Sequence, residues 1–250
     1  MKTFYFTSTG NNLYIAKKCG GQLFSIPKLL KEGNCEFEDD KIGIIFPCYF
    51  LGTPRIVKEF IKKATLKSEY IFAIMSYGNI SAGGINQFLK IAEKYNIKVS
   101  YINEILMIDN YLPLFDIEKQ IRNSPNKNID KNLAVIVSDI HSERIYIKRK
   151  NLLCSISTFF SQWYYTISIR KADRRFFVED SCNSCTICEK VCPVDNIKVS
   201  GKPEFLNHCE ECLACTHHCP QNSIRITNEK SRARFINKNV SLKEIIASNN

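Results

Sequence analysis

The 250-residue sequence lacks the patterns that mark several common classes of protein. No G-x-G-x-x-G motif follows a predicted strand, so a nicotinamide fingerprint is absent. No nucleic-acid-binding motif is present, and nucleic acid is not expected as a partner despite a formal net charge of +10. No side chain stands out as a dedicated general acid or nucleophile. The apolar start, Met1–Phe6, is too short for a secretion signal, which predicts a cytoplasmic, reducing location.

Cysteine, in contrast, is abundant, and eight of the twelve cysteines form two copies of the pattern C-x2-C-x2-C-x3-C-P, 27 residues apart. Bacterial proteins use this spacing to hold two cubane iron–sulfur clusters, and the fourth cysteine of each run binds the cluster of the other run. We therefore assign a first [4Fe-4S] cluster to Cys182, Cys185, Cys188 and Cys219. We assign a second [4Fe-4S] cluster to Cys209, Cys212, Cys215 and Cys192.

Two alternative interpretations of the same cysteines are zinc sites and a disulfide framework. Zinc prefers two separated cysteine pairs for each tetrahedral site, and disulfides need an oxidising compartment for which the sequence has no signal. The cluster interpretation is favoured because the repeat also includes the segments that follow Pro193 and Pro220. The four remaining cysteines are expected to be ordinary core or surface residues: Cys19, Cys35, Cys48 and Cys154.

Short apolar strands alternate with helices in the first half of the chain. Strands are predicted at 2–7, 41–46, 70–75 and 97–102, with a continuation of the last strand through 105–107 as an alternative. Helices are predicted from 12 to about 23, at 56–64 and at 85–95. This alternation predicts an α/β fold with a doubly wound parallel sheet, in which ligands bind beyond the carboxyl ends of the strands. Three loops, at 7–12, 47–54 and 76–84, are expected at that edge.

The first of these loops carries a resemblance to a known family. Its residues Thr7, Ser8, Thr9, Gly10 and Asn11 resemble the phosphate loop of flavodoxins, in which hydroxyls and backbone N–H groups at a helix start hold the phosphate of FMN. Asn12 departs from the Thr or Ser of that family, although its amide can still donate a hydrogen bond. With the two cysteine runs, the whole chain resembles the fused flavodoxin–ferredoxin proteins of anaerobic organisms.

The resemblance implies a division of the chain and a set of flavin contacts. It implies a flavodoxin-like FMN-binding domain at 1–115, a helical connector at 116–172, a small α+β ferredoxin domain with two clusters at 173–228 and a basic tail at 229–250. The implied FMN-binding residues are Thr7, Ser8, Thr9, Gly10, Asn11 and Asn12 for the phosphate, with Tyr49, Phe50, Gly52, Tyr77, Gly78 and Asn79 near the ring. The alternatives are core packing for Tyr49 and Phe50 and ordinary turns for the glycines.

The connector contains an uncharged stretch, 151–169, between two basic clusters. Its many Ser and Thr residues make it too polar for a membrane span, and its aromatic residues leave an interfacial helix as an alternative. We expect an amphipathic helix packed between the two halves of the protein.

Charge and histidine placement give two further expectations. Residues 1–172 and 229–250 carry formal charges of +9 and +3, whereas residues 173–228 carry −2, so the basic tail is expected against the acidic cysteine-rich segment or in solvent. Surface positions are expected for His208, His217 and His218 because each cluster already has four cysteines.

Two functional hypotheses follow from these features. The first is electron transfer between low-potential one-electron protein partners and a flavin through two clusters, with no catalytic residue. The second is an FMN-dependent oxidoreductase that reduces a small-molecule substrate directly at the flavin. A zinc-stabilised binding module is a third, non-redox class.

Overall fold

The computed structural model describes residues 1–249. The strands of this part of the chain are β1 (Lys2–Tyr5), β2 (Gln22–Ser25), β3 (Glu36–Glu38), β4 (Lys41–Pro47), β5 (Thr65–Lys67), β6 (Tyr70–Tyr77), β7 (Tyr101–Leu106), β8 (Tyr146–Ile147), β9 (Phe176–Val178), β10 (Ile197–Val199), β11 (Pro203–Phe205) and β12 (Ile224–Ile226). Six of them form a parallel sheet with the order β2-β1-β4-β6-β7-β8.

Helices cover both faces of this sheet. The helices of residues 1–249 are α1 (Asn11–Cys19), α2 (Ile26–Glu32), α3 (Arg55–Lys63), α4 (Gly84–Lys94), α5 (Ile117–Arg122), α6 (Ile129–His141), α7 (Leu152–Ser168), α8 (Ile187–Lys190), α9 (Ala214–His218) and α10 (Leu242–Asn249). Two 3₁₀ segments, Ser124–Lys127 and Ile169–Arg175, complete the helical part.

All neighbouring strands of the sheet are parallel. Each strand of the sheet is linked to the one that follows it in the chain by a crossover that contains at least one helix, which allows all of the strands to run in the same direction. The central strands β4 and β6 are almost wholly apolar and buried, as strands covered on both faces must be. One core lies between the sheet and α2, α3 and α4, and a second lies under α1, α6 and α10. The prediction of an α/β fold with a parallel sheet is confirmed.

Three local predictions were wrong. Helix α1 ends at Cys19 and Leu23 lies in β2, because Gly20 and Gly21 both take positive φ and a side chain at Gly21 would lie 2.5 Å from the Met1 carbonyl. Strand β7 begins at Tyr101, so 97–100 is not strand. The segment 116–171 is not entirely helical, because β8 extends the sheet beside β7.

The second half of the chain has smaller elements. Strand β9 pairs with β12 and β10 pairs with β11, both antiparallel, and the short helices α8 and α9 lie against them. Isoleucine, phenylalanine and cysteine side chains form their common core.

The segment after residue 228 returns to the first half of the chain. The Asn237 N–H donates to the Thr9 carbonyl (2.8 Å), and Ser248 of α10 hydrogen-bonds the Tyr5 hydroxyl (2.7 Å).

The same segment also contacts the cysteine-rich segment, as expected: Asn249 of α10 donates to the Val191 carbonyl (2.9 Å), and Arg232 pairs with Glu179 (3.5 Å). The expectation did not include the packing of α10 against the parallel sheet. Within residues 1–249, no helix has the length and apolar character needed to cross a bilayer.

Candidate cofactor sites

A cavity of about 390 Å3 lies at the carboxyl ends of β1, β4, β6 and β7, and we call it the sheet cavity. All of the predicted flavin contacts except Gly10 and Gly52 line it: Thr7, Ser8, Thr9, Asn11, Asn12, Tyr49, Phe50, Tyr77, Gly78 and Asn79. The three loops that the sequence indicated thus meet at one place, as the common direction of the strands requires.

The loop after β1 wraps the start of α1. The Gly10 N–H donates to Thr7 Oγ1 (3.1 Å), and Gly10 takes a φ of 97° that favours glycine. A Cβ at Gly10 would lie 3.0 Å from the Cβ of Val240, so Gly10 faces the C-terminal segment and not the cavity. The first N–H groups of α1 have no partner within the helix and carry its positive dipole end, which suits an anion.

The amide side chains of this loop hold neighbouring segments together. Asn11 donates to the Ile108 carbonyl (3.2 Å) and accepts from Asn237 (3.1 Å), and Asn12 donates to the Phe6 carbonyl (2.9 Å). The donor that the sequence offered to a phosphate at Asn12 is therefore engaged with the backbone. The backbone N–H groups and the hydroxyls at 7–9 are the groups best suited to an anion here.

Aromatic residues form one wall of the sheet cavity. The Tyr49 hydroxyl donates to Ser8 Oγ (3.4 Å), and burial raises the pKa of Tyr49 well above its usual value, so this side chain stays neutral. Phe50 stacks on Tyr165 of α7 with ring centroids 4.7 Å apart. Gly52 lies behind this wall, where a Cβ would meet Gln87 and Gln162 within 2.7 Å.

Asp109 is a cavity residue that the sequence did not single out for any role. A Cβ at Gly78 would lie 2.3 Å from its carboxyl group, so only glycine permits this close approach. Burial raises the pKa of Asp109, and the nearby Lys127 ammonium opposes that shift. Lys127 also donates to the carbonyls of Gly78 and Met107 (both 2.7 Å), which fixes the two cavity loops relative to each other.

The eight cysteines of the two runs line two further cavities. The first cysteine cavity contains Cys182, Cys185, Cys188 and Cys219, together with apolar residues that include Val199, Pro203, Pro220 and Ile224. The second cysteine cavity contains Cys192, Cys209, Cys212 and Cys215, together with residues that include Phe176, Ile197, Phe205 and Leu213. Each run thus contributes its fourth cysteine to the cavity of the other run.

The repeat of 27 residues is also a repeat of backbone conformation. Positive φ angles recur at matched positions of the two runs, namely Ser184 with Glu211, Thr186 with Leu213 and Asp195 with Asn222. Non-glycine residues rarely adopt this conformation, so its recurrence reflects a constraint shared by both runs. The two loops therefore fold in the same way around their cysteines.

Backbone N–H groups point at three of the sulfur atoms. Asn196 donates to Cys192 Sγ (3.2 Å), Glu211 to Cys209 Sγ (3.2 Å) and Ser223 to Cys219 Sγ (3.3 Å). Such donors stabilise a thiolate. Burial, together with the neighbouring cysteines, raises the pKa of Cys188 to about 12, so this thiol needs a neighbouring positive charge to ionise.

Four sulfurs around an apolar cavity, with N–H donors to the sulfur, form a donor set that suits a cubane cluster. Among residues 1–249, no group of three or more His, Cys, Asp or Glu side chains is placed to hold a single metal ion.

The sheet cavity and the second cysteine cavity share a wall. Cys212 and Leu213 line both of them, and Glu211 also lines the sheet cavity. Glu211 is buried, pairs with Arg175 and accepts a hydrogen bond from the Tyr111 hydroxyl (2.7 Å). Cys212 and Leu213 thus lie between the two cavities.

The expectation of surface positions for His217 and His218 was wrong, because both are buried between the two halves of the protein. His217 Nε2–H donates to the Asn110 carbonyl (2.8 Å), and His218 Nε2–H donates to the Ser8 carbonyl (3.0 Å). Burial lowers both pKa values, that of His217 to about 3, so the rings are neutral. These residues attach α9 to the loops of the sheet cavity.

A second contact joins the same halves beside the second cysteine cavity. Arg55 at the start of α3 pairs with the buried Glu210 (3.0 Å) and donates to the carbonyls of His208 and Cys209. The Ile56 N–H also donates to Glu210 (2.9 Å). Basic groups of the first half therefore meet acidic groups beside the second cysteine cavity.

Comparison of the sequence with models of protein families found none that matches this chain, and comparison with curated proteins found no significant match.

Proposed function

We propose that this protein transfers electrons between two [4Fe-4S] clusters, held in the two cysteine cavities, and an FMN held in the sheet cavity. The observation that carries the proposal is the shared wall: Cys212 and Leu213 line both the second cysteine cavity and the sheet cavity. A redox group bound by Cys212 would lie beside the cavity that would hold the flavin.

The strand order supports a flavodoxin-like first domain. With the short strands β3 and β5 left out, the order β2-β1-β4-β6-β7 follows the 2-1-3-4-5 order of flavodoxins. The direction of winding reverses between β1 and β4, and the loops after both strands line the sheet cavity. FMN binds at this switch point in that fold.

The dimensions and chemistry of the sheet cavity suit FMN. Its volume of about 390 Å3 falls in the range of small-molecule sites. The N-terminus of α1 and the hydroxyls of Thr7, Ser8 and Thr9 would hold the phosphate, while Tyr49 and Phe50 on one side and Tyr77 on the other would cover the ring.

The cysteine-rich segment supports a two-cluster ferredoxin domain. This segment contains two antiparallel strand pairs and two short helices, and apolar side chains fill the space between these elements. When bound, the clusters exchange single electrons and FMN exchanges one or two. The protein's own contribution is to hold the sulfurs, exclude water with residues such as Ile197 and Ile224, and direct N–H groups at the sulfurs.

One observation favours the second candidate, direct reduction of a small substrate. Asp109 lines the sheet cavity with a pKa raised by burial, so it can keep a proton at a pH where most carboxyls have lost theirs. Such a group could donate a proton to a molecule reduced in the cavity.

Anaerobic oxidation of the reduced, loaded protein separates the two candidates. An electron carrier should be reoxidised by another redox protein and should remain reduced with small organic acceptors that have no such partner. Steady turnover of a small substrate, lost in Asp109→Asn, would instead establish the oxidoreductase. If neither kind of acceptor reoxidises the protein, both proposals fail.

A further inference from the structure

Helix α7 has its polar face turned inward and its apolar face turned outward. The buried residues are Thr158, Gln162 and Tyr165. Thr158 Oγ1 accepts from the Gly83 N–H (2.8 Å) and donates to the Leu51 carbonyl (2.9 Å). Gln162 donates to the carbonyls of Tyr49 (2.7 Å) and Phe50 (2.9 Å). Hydrogen bonds to the loop after β4, and not apolar burial, therefore attach much of this helix to the protein.

The opposite face is a continuous apolar surface, which we call the α7 face. Its members are between 44 and 76 % exposed: Leu152, Leu153, Ile156, Phe159, Phe160, Trp163, Tyr164 and Ile167. At 100° for each residue they occupy one sector of about 140°, along a helix about 25 Å long. A soluble monomer rarely exposes so many large apolar side chains together, so the α7 face is expected to contact something apolar.

The charge around the α7 face indicates what that is. Helix α7 contains no charged residue, and exposed basic residues lie beyond both of its ends: Arg149 before it, and Arg170, Lys171 and Arg174 after it. Within residues 1–249 none of these four forms an ion pair with a carboxylate, whereas Lys148 and Lys150 are paired with Glu104. An occupant therefore has to be apolar in the middle and negative at both edges.

We propose that the α7 face docks the protein on the surface of an anionic lipid bilayer, with the helix lying in the plane of the interface. Aromatic and aliphatic side chains would enter the boundary of the acyl chains, and the arginines and lysine would meet lipid phosphates. A second copy of the chain is a poorer fit, because antiparallel pairing of two α7 helices would place basic ends beside basic ends.

Helix α7 borders the sheet cavity. Ser161 of α7 lines that cavity together with the exposed residues Ile80 and Leu114. Tyr164 of the α7 face lies beside Phe50 of the cavity wall, with ring centroids 6.4 Å apart. The proposal goes beyond the electron-transfer function and holds or fails independently of it, because lipid binding does not require turnover.

Co-sedimentation of the full-length protein with vesicles tests the proposal. Vesicles of phosphatidylglycerol and phosphatidylcholine should bind it, and phosphatidylcholine alone should bind it much more weakly. Trp163 is the single tryptophan, so a blue shift of its fluorescence on binding would report that the α7 face itself enters the interface. Added salt should weaken the binding, because the lipid charge is screened.

Two variants and a control locate the surface. Trp163→Glu should abolish sedimentation with anionic vesicles, and the double variant Arg170→Gln, Lys171→Gln should weaken it about thirtyfold, from about 1 kcal/mol for each basic residue. Val135→Glu, at an exposed apolar position of α6, should bind like the unchanged protein. The proposal is overturned if the unchanged protein does not sediment with anionic vesicles, or if Val135→Glu and Trp163→Glu sediment with them to the same extent. It is also overturned if the only effect of Trp163→Glu is to convert a dimer into monomers.

Discussion

The crossed assignment of the cysteines makes a quantitative prediction for paired variants. Cys192 belongs to the first run in sequence, but it lines the second cysteine cavity with Cys215, and Cys188 lines the first. A cubane contains four irons, so the loaded protein should contain about eight for each chain. Loss of one cysteine ligand should remove one cluster. The other cluster should survive the loss of a second cysteine only if that cysteine lines the same cavity as the first.

Cys192→Ala combined with Cys215→Ala removes two ligands of the same cavity. We therefore expect about four irons for each chain, since the first cysteine cavity keeps all of its ligands. Cys192→Ala combined with Cys188→Ala damages both cavities, although both cysteines are in one run. That pair should contain almost no iron.

Iron and acid-labile sulfide, measured on protein reconstituted without oxygen, distinguish the outcomes. Cys154→Ala is the control, because Cys154 lies on α7 and in neither cysteine cavity; this variant should keep about eight irons. If each run held its own cluster, the two double variants would exchange their results, and the crossed assignment would be refuted.

Three further predictions concern the parallel-sheet half of the chain. Gly83→Ala should lower the free energy of unfolding by about 1–3 kcal/mol, because its Cβ would lie 2.7 Å from the Ser155 Cα of α7, and urea denaturation measures this loss. Gln162→Leu should cost about 1–3 kcal/mol and reduce bound FMN, because it leaves the Phe50 carbonyl without its donor; flavin released on denaturation measures the second effect. Burial raises the pKa of Asp109 in the folded protein, so ionisation of this carboxyl lowers the stability of the unchanged protein as the pH rises. Asp109→Asn cannot ionise and should therefore gain stability relative to the unchanged protein over the same pH range.

Each of these has a contrary result. For Gly83, an unchanged urea midpoint would mean that α4 and α7 are not in close contact. For Gln162, full flavin content together with lower stability would show that the conformation of the loop after β4 does not affect flavin binding. For Asp109, a stability difference that does not vary between acidic and neutral pH would show that this carboxyl has its ordinary pKa.

Local sequence patterns predicted the centre of the fold and missed its edges. Strands β4 and β6 are long apolar runs that require cover on both faces, so they could be recognised without tertiary information. Strand β2 is short, half polar and preceded by two glycines, and β8 has two residues, so neither produces a recognisable period. Their positions depend on hydrogen bonds to β1 and β7.

The sheet cavity was predictable in part for the same reason. Polar loops that follow parallel strands must meet at one edge, which placed 7–12, 47–54 and 76–84 together. Asp109 follows the carboxyl end of β7, so the same rule could have placed it in this cavity. Cys212 could not be assigned to the cavity from sequence, because it reaches it only through the fold of the second half of the chain. The burial of His217 and His218 is equally a product of contacts distant in sequence.

Helix α7 shows where a periodic pattern is ambiguous. Its apolar and polar residues alternate with a helical period, which predicts an amphipathic helix but does not say which face is turned inward. The inward face is the one whose Thr158 and Gln162 find backbone partners in the loop after β4. The expected amphipathic helix is present, with its apolar face exposed.

Chemical analysis of the protein purified without oxygen tests the cofactor proposal most directly. The expected content for each chain is about eight irons, about eight acid-labile sulfides and one FMN, from two cubanes and one flavin. A colourless protein that contains zinc, with neither sulfide nor flavin, would contradict it.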